Sequence, residues 1–91
     1  MKKESYEVNE KNRRLIDSFI MLIRTDMVRG REDRNIQQKE MAQRLKLSQS
    51  TLSRYETGER SFSREIFCDY CAELEINPVD IFKAAIKKAG M

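Results

Sequence analysis

Apolar residues return at three- and four-residue steps along most of this chain, in five separate runs. In the first, Leu15, Ile16, Phe19, Ile20, Ile23 and Met27 recur with charged positions between them. This spacing predicts a helix from about Asn9 to Arg29, with Gly30 as its C-terminal stop. Residues 1–9 precede the pattern and are expected to form a flexible tail, leaving 10–91 as a single domain. The wholly polar Arg31–Asn35 reads as a solvated loop. A second helix, Gln38 to Leu45, sets Met41, Ala42 and Leu45 on one face. A third opens at Ser48, a good N-cap, carries Leu52 and Tyr55 inward, and ends at Gly58. Only Lys46 and Leu47 separate the two, so they must cross steeply rather than fold back as a hairpin.

The fourth helix has Ser63 as its cap and Phe67, Tyr70, Cys71 and Leu74 as its buried stripe. The fifth starts at Asn77, with Pro78 in its first turn and Asp80 near its positive end. There Ile81, Phe82, Ala85, Ile86 and Ala89 fill more than one narrow face. No stretch alternates as a strand would, and the chain is expected to be all-α, a compact bundle of five helices.

Composition narrows the function mainly through what is missing. There is no histidine, so the usual general base, the commonest metal ligand and every Ser-His or Cys-His pair are absent. Gly30, Gly58 and Gly90 stand alone, which removes a Gly-rich phosphate loop. Neither an enzyme nor a cofactor is expected, and no small-molecule ligand is indicated. Cys68 and Cys71 make a C-x-x-C, but a zinc site needs about four ligands, and no other Cys or His supplies them. Both fall within a helical pattern, where a reduced Cys acts as a small hydrophobe. The longest apolar run, Phe19–Ile23, is too short for a bilayer, and Met1–Asn9 has no apolar signal core, so a cytoplasmic location is expected. A net charge of +3 is compatible with nucleic acid without requiring it.

The stretch from Gln38 to Arg60 holds a denser pattern. Gln38 stands first, Ala42 fifth, and the apolar Leu47, Leu52 and Tyr55 tenth, fifteenth and eighteenth; Ser53, Glu56, Gly58 and Arg60 close it as Ser-x-x-Glu-x-Gly-x-Arg. This resembles the phage-repressor and Cro-like (XRE-type) helix-turn-helix family over roughly residues 36–86. The resemblance implies a lambda-repressor-like bundle whose helices 2 and 3 form the helix-turn-helix. It implies a sequence-specific regulator, in sense a repressor, whose partner is double-stranded DNA. Three positions depart from the family pattern: Lys46 replaces the usual Gly, Gln37 a capping Thr or Ser, and Phe62 a Pro.

With Leu52 and Tyr55 inward, the third helix turns Gln49, Ser50, Ser53 and Arg54 outward. A helix set in the major groove offers such positions to base edges, where Gln suits adenine, Arg suits guanine and Ser serves several bases. The resemblance assigns Gln38 to a backbone phosphate, with Lys46 and Arg60 as further phosphate contacts. It also implies a structural ion pair between Glu56 and an Arg of the first helix, read as Arg24, with Arg29 as the alternative. One such helix touches few base pairs, so a homodimer is expected, with Phe82, Ile86 and Ala89 of the C-terminal helix as its seam. The alternative is an antitoxin-like or other protein-interaction module in which DNA binding is secondary. The absence of a long unstructured tail argues mildly against it.

Overall fold

Five helices account for most of the computed structural model, which describes the backbone of residues 2–90 and the side chains of 9–90. They are α1 (Lys2–Asp33), α2 (Gln38–Arg44), α3 (Gln49–Thr57), α4 (Arg64–Glu73) and α5 (Pro78–Lys88). No strand occurs among the described residues, in keeping with the all-α expectation. No helix is long and apolar enough to cross a membrane, again among the described residues.

The first helix is longer than its apolar pattern indicates. Lys2–Asn9, expected as a flexible tail, continue α1 as helical backbone, and Met1 lies outside the described residues. At the other end α1 runs through Gly30, so glycine does not stop it. A Cβ on Gly30 would lie 3.2 Å from Ile76 Cδ1 and 3.3 Å from Leu74 Cδ1. Gly30 is therefore a packing glycine, placed where the corner before α5 presses against α1. The expected polar loop shrinks to residues 34–37, because Arg31, Glu32 and Asp33 are still helical.

Three corners of the fold share one construction. Asn35, Lys46 and Glu75 each have φ of 56–57°, in the left-handed region. In each the amide of the left-handed residue and the next amide turn back on the helix just ended: Asn35 N–H to Glu32 C=O and Ile36 N–H to Arg31 C=O, Lys46 to Gln43 and Leu47 to Ala42, Glu75 to Ala72 and Ile76 to Cys71. This paired closure satisfies carbonyls that a helix end leaves open. The apolar residue that follows (Ile36, Leu47 or Ile76) packs on the core. The next residue then caps the following helix. Ser48 Oγ accepts from Thr51 N–H and Asn77 Oδ1 from Val79 N–H, whereas Gln37 makes no side-chain cap bond.

The core gathers around Met27, Met41, Leu52, Tyr70, Leu74 and Ala85, all at most 1% exposed. Phe62 fills the space between α3 and α4, stacked on Tyr55 at 5.2 Å and edge-on to Tyr70 at 5.7 Å. Cys71 lies in this core and Cys68 on the surface, both free. Burial, and next the neighbouring Cys68, push the Cys71 thiol up to about 11, so it remains protonated at neutral pH. Large apolar side chains also stay in water: Leu15, Ile16, Ile20 and Met21 on α1 and Val79, Phe82 and Ile86 on α5 are 38–51% exposed.

A left-handed conformation costs an ordinary L-residue roughly 1–2 kcal/mol. Glu75→Gly removes that strain at a corner remote from α3, while adding freedom to the unfolded chain. The expected net gain is about 1 kcal/mol, a rise of about 4–8 °C in Tm measured by circular dichroism.

Candidate nucleic-acid interface

The second and third helices are joined by the left-handed Lys46 and the core-packed Leu47, and they lock together through small and apolar residues. Ala42 is 2% exposed, and α3 buries Leu52 and Tyr55 beneath it. Those burials fix how α3 is rotated about its own axis. Gln49, Ser50 and Arg54 then face solvent, and Ser53 is half-buried on the same side. At the start of α3, Ser48 Oγ accepts from Thr51 N–H at 3.1 Å and lies 3.3 Å from the Ser50 hydroxyl. The four residues expected to contact bases thus share one short helix, its first turn set by a well-formed cap.

Glu56 points the other way. Its side chain is 5% exposed and accepts four hydrogen bonds. Arg31 donates from Nε at 2.8 Å and from Nη2 at 2.9 Å, Tyr70 donates its hydroxyl at 2.7 Å, and Gln38 donates from Nε2 at 3.0 Å. Arg31 spends Nη1 on the Ile36 carbonyl at 2.7 Å, closing the turn that leads into α2. One carboxylate therefore ties α1, α2 and α4 to α3. Burial works against the charge of Arg31, but the hydrogen bond and charge of Glu56 outweigh it and hold the guanidinium above its ordinary value. Tyr70 is likewise pushed far up, first by burial and then by its bond to Glu56, so it stays a neutral donor.

The partner of Glu56 is Arg31, neither Arg24 nor Arg29. Arg24 lies against Gly58 instead, where its guanidinium atoms come within 2.5–2.8 Å of the place a Cβ would occupy. Gly58 caps α3 at φ 85°, so both backbone and space require glycine there. With Gly30 as a helix stop, Arg31 would fall in the polar loop that follows. Once α1 continues, Arg31 falls one turn after Met27, on the face that Ile23 and Met27 bury. Tyr70 was legible only as a core residue, because nothing in its spacing shows where its hydroxyl goes.

Gln38 joins this network to the reading face. Its Nε2 is used on Glu56, which fixes the amide so that Oε1 faces Gln49 Nε2 at 3.4 Å. Gln38, expected at a phosphate, thus also orients a residue expected at a base. Arg60 is near Arg54: its amide donates to the Arg54 carbonyl at 3.1 Å, and its guanidinium lies 5.3 Å from the centre of the Tyr55 ring. Lys46 sits apart, in a shallow groove shared with Arg44, Asp69 and Glu73, beside carboxylates that compete with a phosphate. Between residues 37 and 60 the basic side chains are Lys39, Arg44, Lys46, Arg54 and Arg60. Of the three acidic ones, Glu56 is buried, Glu40 pairs with Arg44 and Glu59 is exposed, so the surface around α3 keeps a positive balance.

A family model described as helix-turn-helix matches residues 29–81, more than half of the chain. The match takes in Arg31 and leaves out Arg24. Neither characterised proteins nor solved structures give a match.

Removing one member of a buried ion pair strands the other. Arg31→Ala is therefore expected to cost about 3–5 kcal/mol in urea unfolding. Arg24→Ala, which strands no carboxylate, is expected to cost about 1 kcal/mol or less.

Proposed function

Because the chain belongs to the XRE-type helix-turn-helix family, we propose that it is a sequence-specific transcriptional repressor that reads the major groove of double-stranded DNA with α3. It is a DNA-binding regulator by family. The sequence-specific role rests on one observation above all: α3 has its inward side chains committed to the core and its outward polar ones presented to solvent. Leu52 and Tyr55 are in the core and Glu56 is fully bonded, while Gln49, Ser50 and Arg54 are exposed. Held by Gln38, the Gln49 amide is suited to the paired donor and acceptor of adenine, and Arg54 to the two acceptors of guanine. Ser53 and Ser50 serve neighbouring bases. Gln38, Arg60 and, with its acidic neighbours, Lys46 contact phosphates that set the register.

Repression follows from occupancy, since a protein seated across a promoter excludes the polymerase without any further contact. The acting unit is a homodimer, because one α3 covers too few base pairs, and two half-sites lie about one DNA turn apart. Of the residues expected at its seam, Phe82 and Ile86 are exposed apolar surface and Ala89 is half-buried.

Selection of duplexes from a random pool by the purified protein tests this reading. Arg54→Ala is expected to weaken binding to the selected site by about 1–3 kcal/mol and to relax preference at one base pair. Affinity is expected to fall steeply with salt, with a log–log slope of about −0.9 for each phosphate contact. A pool that shows no enrichment over background sinks sequence-specific recognition.

A further inference from the structure

One cavity of the molecule takes no part in the proposed contact with DNA. It lies between α1, the loop leading into α4, and α5, with a volume of about 280 Å³. Ile20 and Ile23 line it from α1, Phe62 and Phe67 from the loop and α4, and Phe82 from α5. Phe82 stacks on Phe67 at 5.4 Å and on Phe19 at 5.9 Å, and Phe62 stacks on Tyr55 at 5.2 Å. These pairings hold the rings as walls of the cavity. Such a lining offers water few hydrogen bonds but gives a hydrocarbon ring close contacts on several sides. An apolar cavity of roughly 150 Å³ is enough for a benzene-sized ring. This one takes a ring with a short chain, near the lower end of the size range of ligand pockets. One turn of an α-helix, about 10 Å across and about 5.4 Å long, exceeds it.

The polar lining comes from one short stretch, Ser61, Ser63 and Arg64, and no acidic side chain lines the cavity among the described residues. Ser63 Oγ accepts from Ile66 N–H as the cap of α4, which leaves its O–H to donate. Among the described residues Arg64 pairs with its own neighbour Glu65 alone, at 3.6 Å, and both side chains are more than two-thirds exposed. An ion pair so exposed is worth little, and the guanidinium exchanges it readily for a better-placed anion. Its fork of N–H donors matches a carboxylate, which accepts two of them at once. The cavity is therefore apolar in its depth and cationic at its rim. That pairing is complementary to an aromatic ring carrying one carboxylate.

We propose that this cavity binds a small aromatic monocarboxylate, its ring against Phe62, Phe67 and Phe82 and its carboxylate on Arg64, and that occupancy is transmitted to α3. Phe62 is the link. It forms part of the cavity wall, stacks on Tyr55 of α3, and meets Tyr70, the donor to Glu56, edge-on. A ring seated on Phe62 thus acts on two side chains that hold α3 in place. The binding stands by itself, and only its use in regulation rests on the proposal that α3 reads DNA.

NMR of the labelled full-length chain, titrated with phenylacetate without DNA, tests it. Phenylethanol and phenylethylamine serve as probes with the same ring and chain but a neutral and a cationic head. Saturable shifts are expected at Ile20, Phe62, Phe67 and Phe82, continuing to Tyr55 and its neighbours on α3. Phenylacetate is expected to bind about tenfold or more tightly than phenylethanol, with the amine weakest. Arg64→Gln, at an exposed position, is expected to bring phenylacetate to within about threefold of phenylethanol and to leave phenylethanol unmoved. Ile20→Trp, which fills the mouth from α1, is expected to abolish binding of both with the helical circular dichroism unchanged. No saturable shift with phenylacetate, equal affinity for the three heads, or an Arg64→Gln variant that keeps the preference overturns the site. So do shifts at Phe62, Phe67 and Phe82 that follow protein concentration alone, which would give the cavity to a second copy. Shifts that stop at Phe62 and leave α3 unmoved overturn the transmission. A chain that binds phenylacetate in this way yet enriches no duplex leaves the site standing and sinks the DNA reading alone.

Discussion

A single buried carboxylate sets the relation of α3 to the rest of the molecule. Glu56 belongs to the helix proposed to read DNA, yet its side chain turns inward to donors from α1, α2 and α4. Taking a carboxylate and a guanidinium out of water costs several kcal/mol per ion, and their attraction alone repays it only when geometry and further hydrogen bonds are favourable. Here each Glu56 oxygen accepts two hydrogen bonds, and no buried polar side-chain atom among the described residues lacks a partner. An apolar residue could fill the same volume, but it would not fix α3 to directional partners. The network holds a pose.

That pose has consequences at the surface. Glu56 orients the Gln38 amide, and Gln38 presents an acceptor to Gln49, so two hydrogen bonds connect the buried ion pair to the first turn of α3. The positions proposed to read bases are therefore coupled to the core instead of resting on an independent helix. The cost appears elsewhere, in left-handed Lys46 and Glu75 at corners where glycine would be unstrained. It appears too in Gln37, which leaves the start of α2 without a side-chain cap.

Much of the fold was legible because apolar period and caps agree: Ser48, Ser63 and Asn77 each cap the helix assigned to them. The largest departure from the apolar pattern lies at Gly30, through which α1 continues. Glycine ends helices because it adopts positive φ readily, but it also appears where backbones approach closely, and sequence alone does not separate the two. At Gly30 the closeness of Leu74 and Ile76 decides, and those residues are more than forty positions away. With Gly30 as a stop, Arg31 falls in a loop, and Arg24, preceded by the apolar Ile20 and Ile23, stands as the expected partner of Glu56. At the end of α1, by contrast, left-handed Asn35 does what glycine was expected to do. The outward set on α3 followed from burying Leu52 and Tyr55, whereas the link from Gln38 to Gln49 depends on side-chain orientations that no spacing encodes.

Backbone amide shifts, followed by NMR as a selected duplex is titrated into the labelled protein, test most directly whether this arrangement presents α3 to DNA. The largest changes are expected at Gln38, Gln49, Ser50, Ser53 and Arg54, with Arg31, Tyr70 and the core of α4 little moved. Changes concentrated on α4 or α5, with the first turn of α3 unaffected, would contradict it.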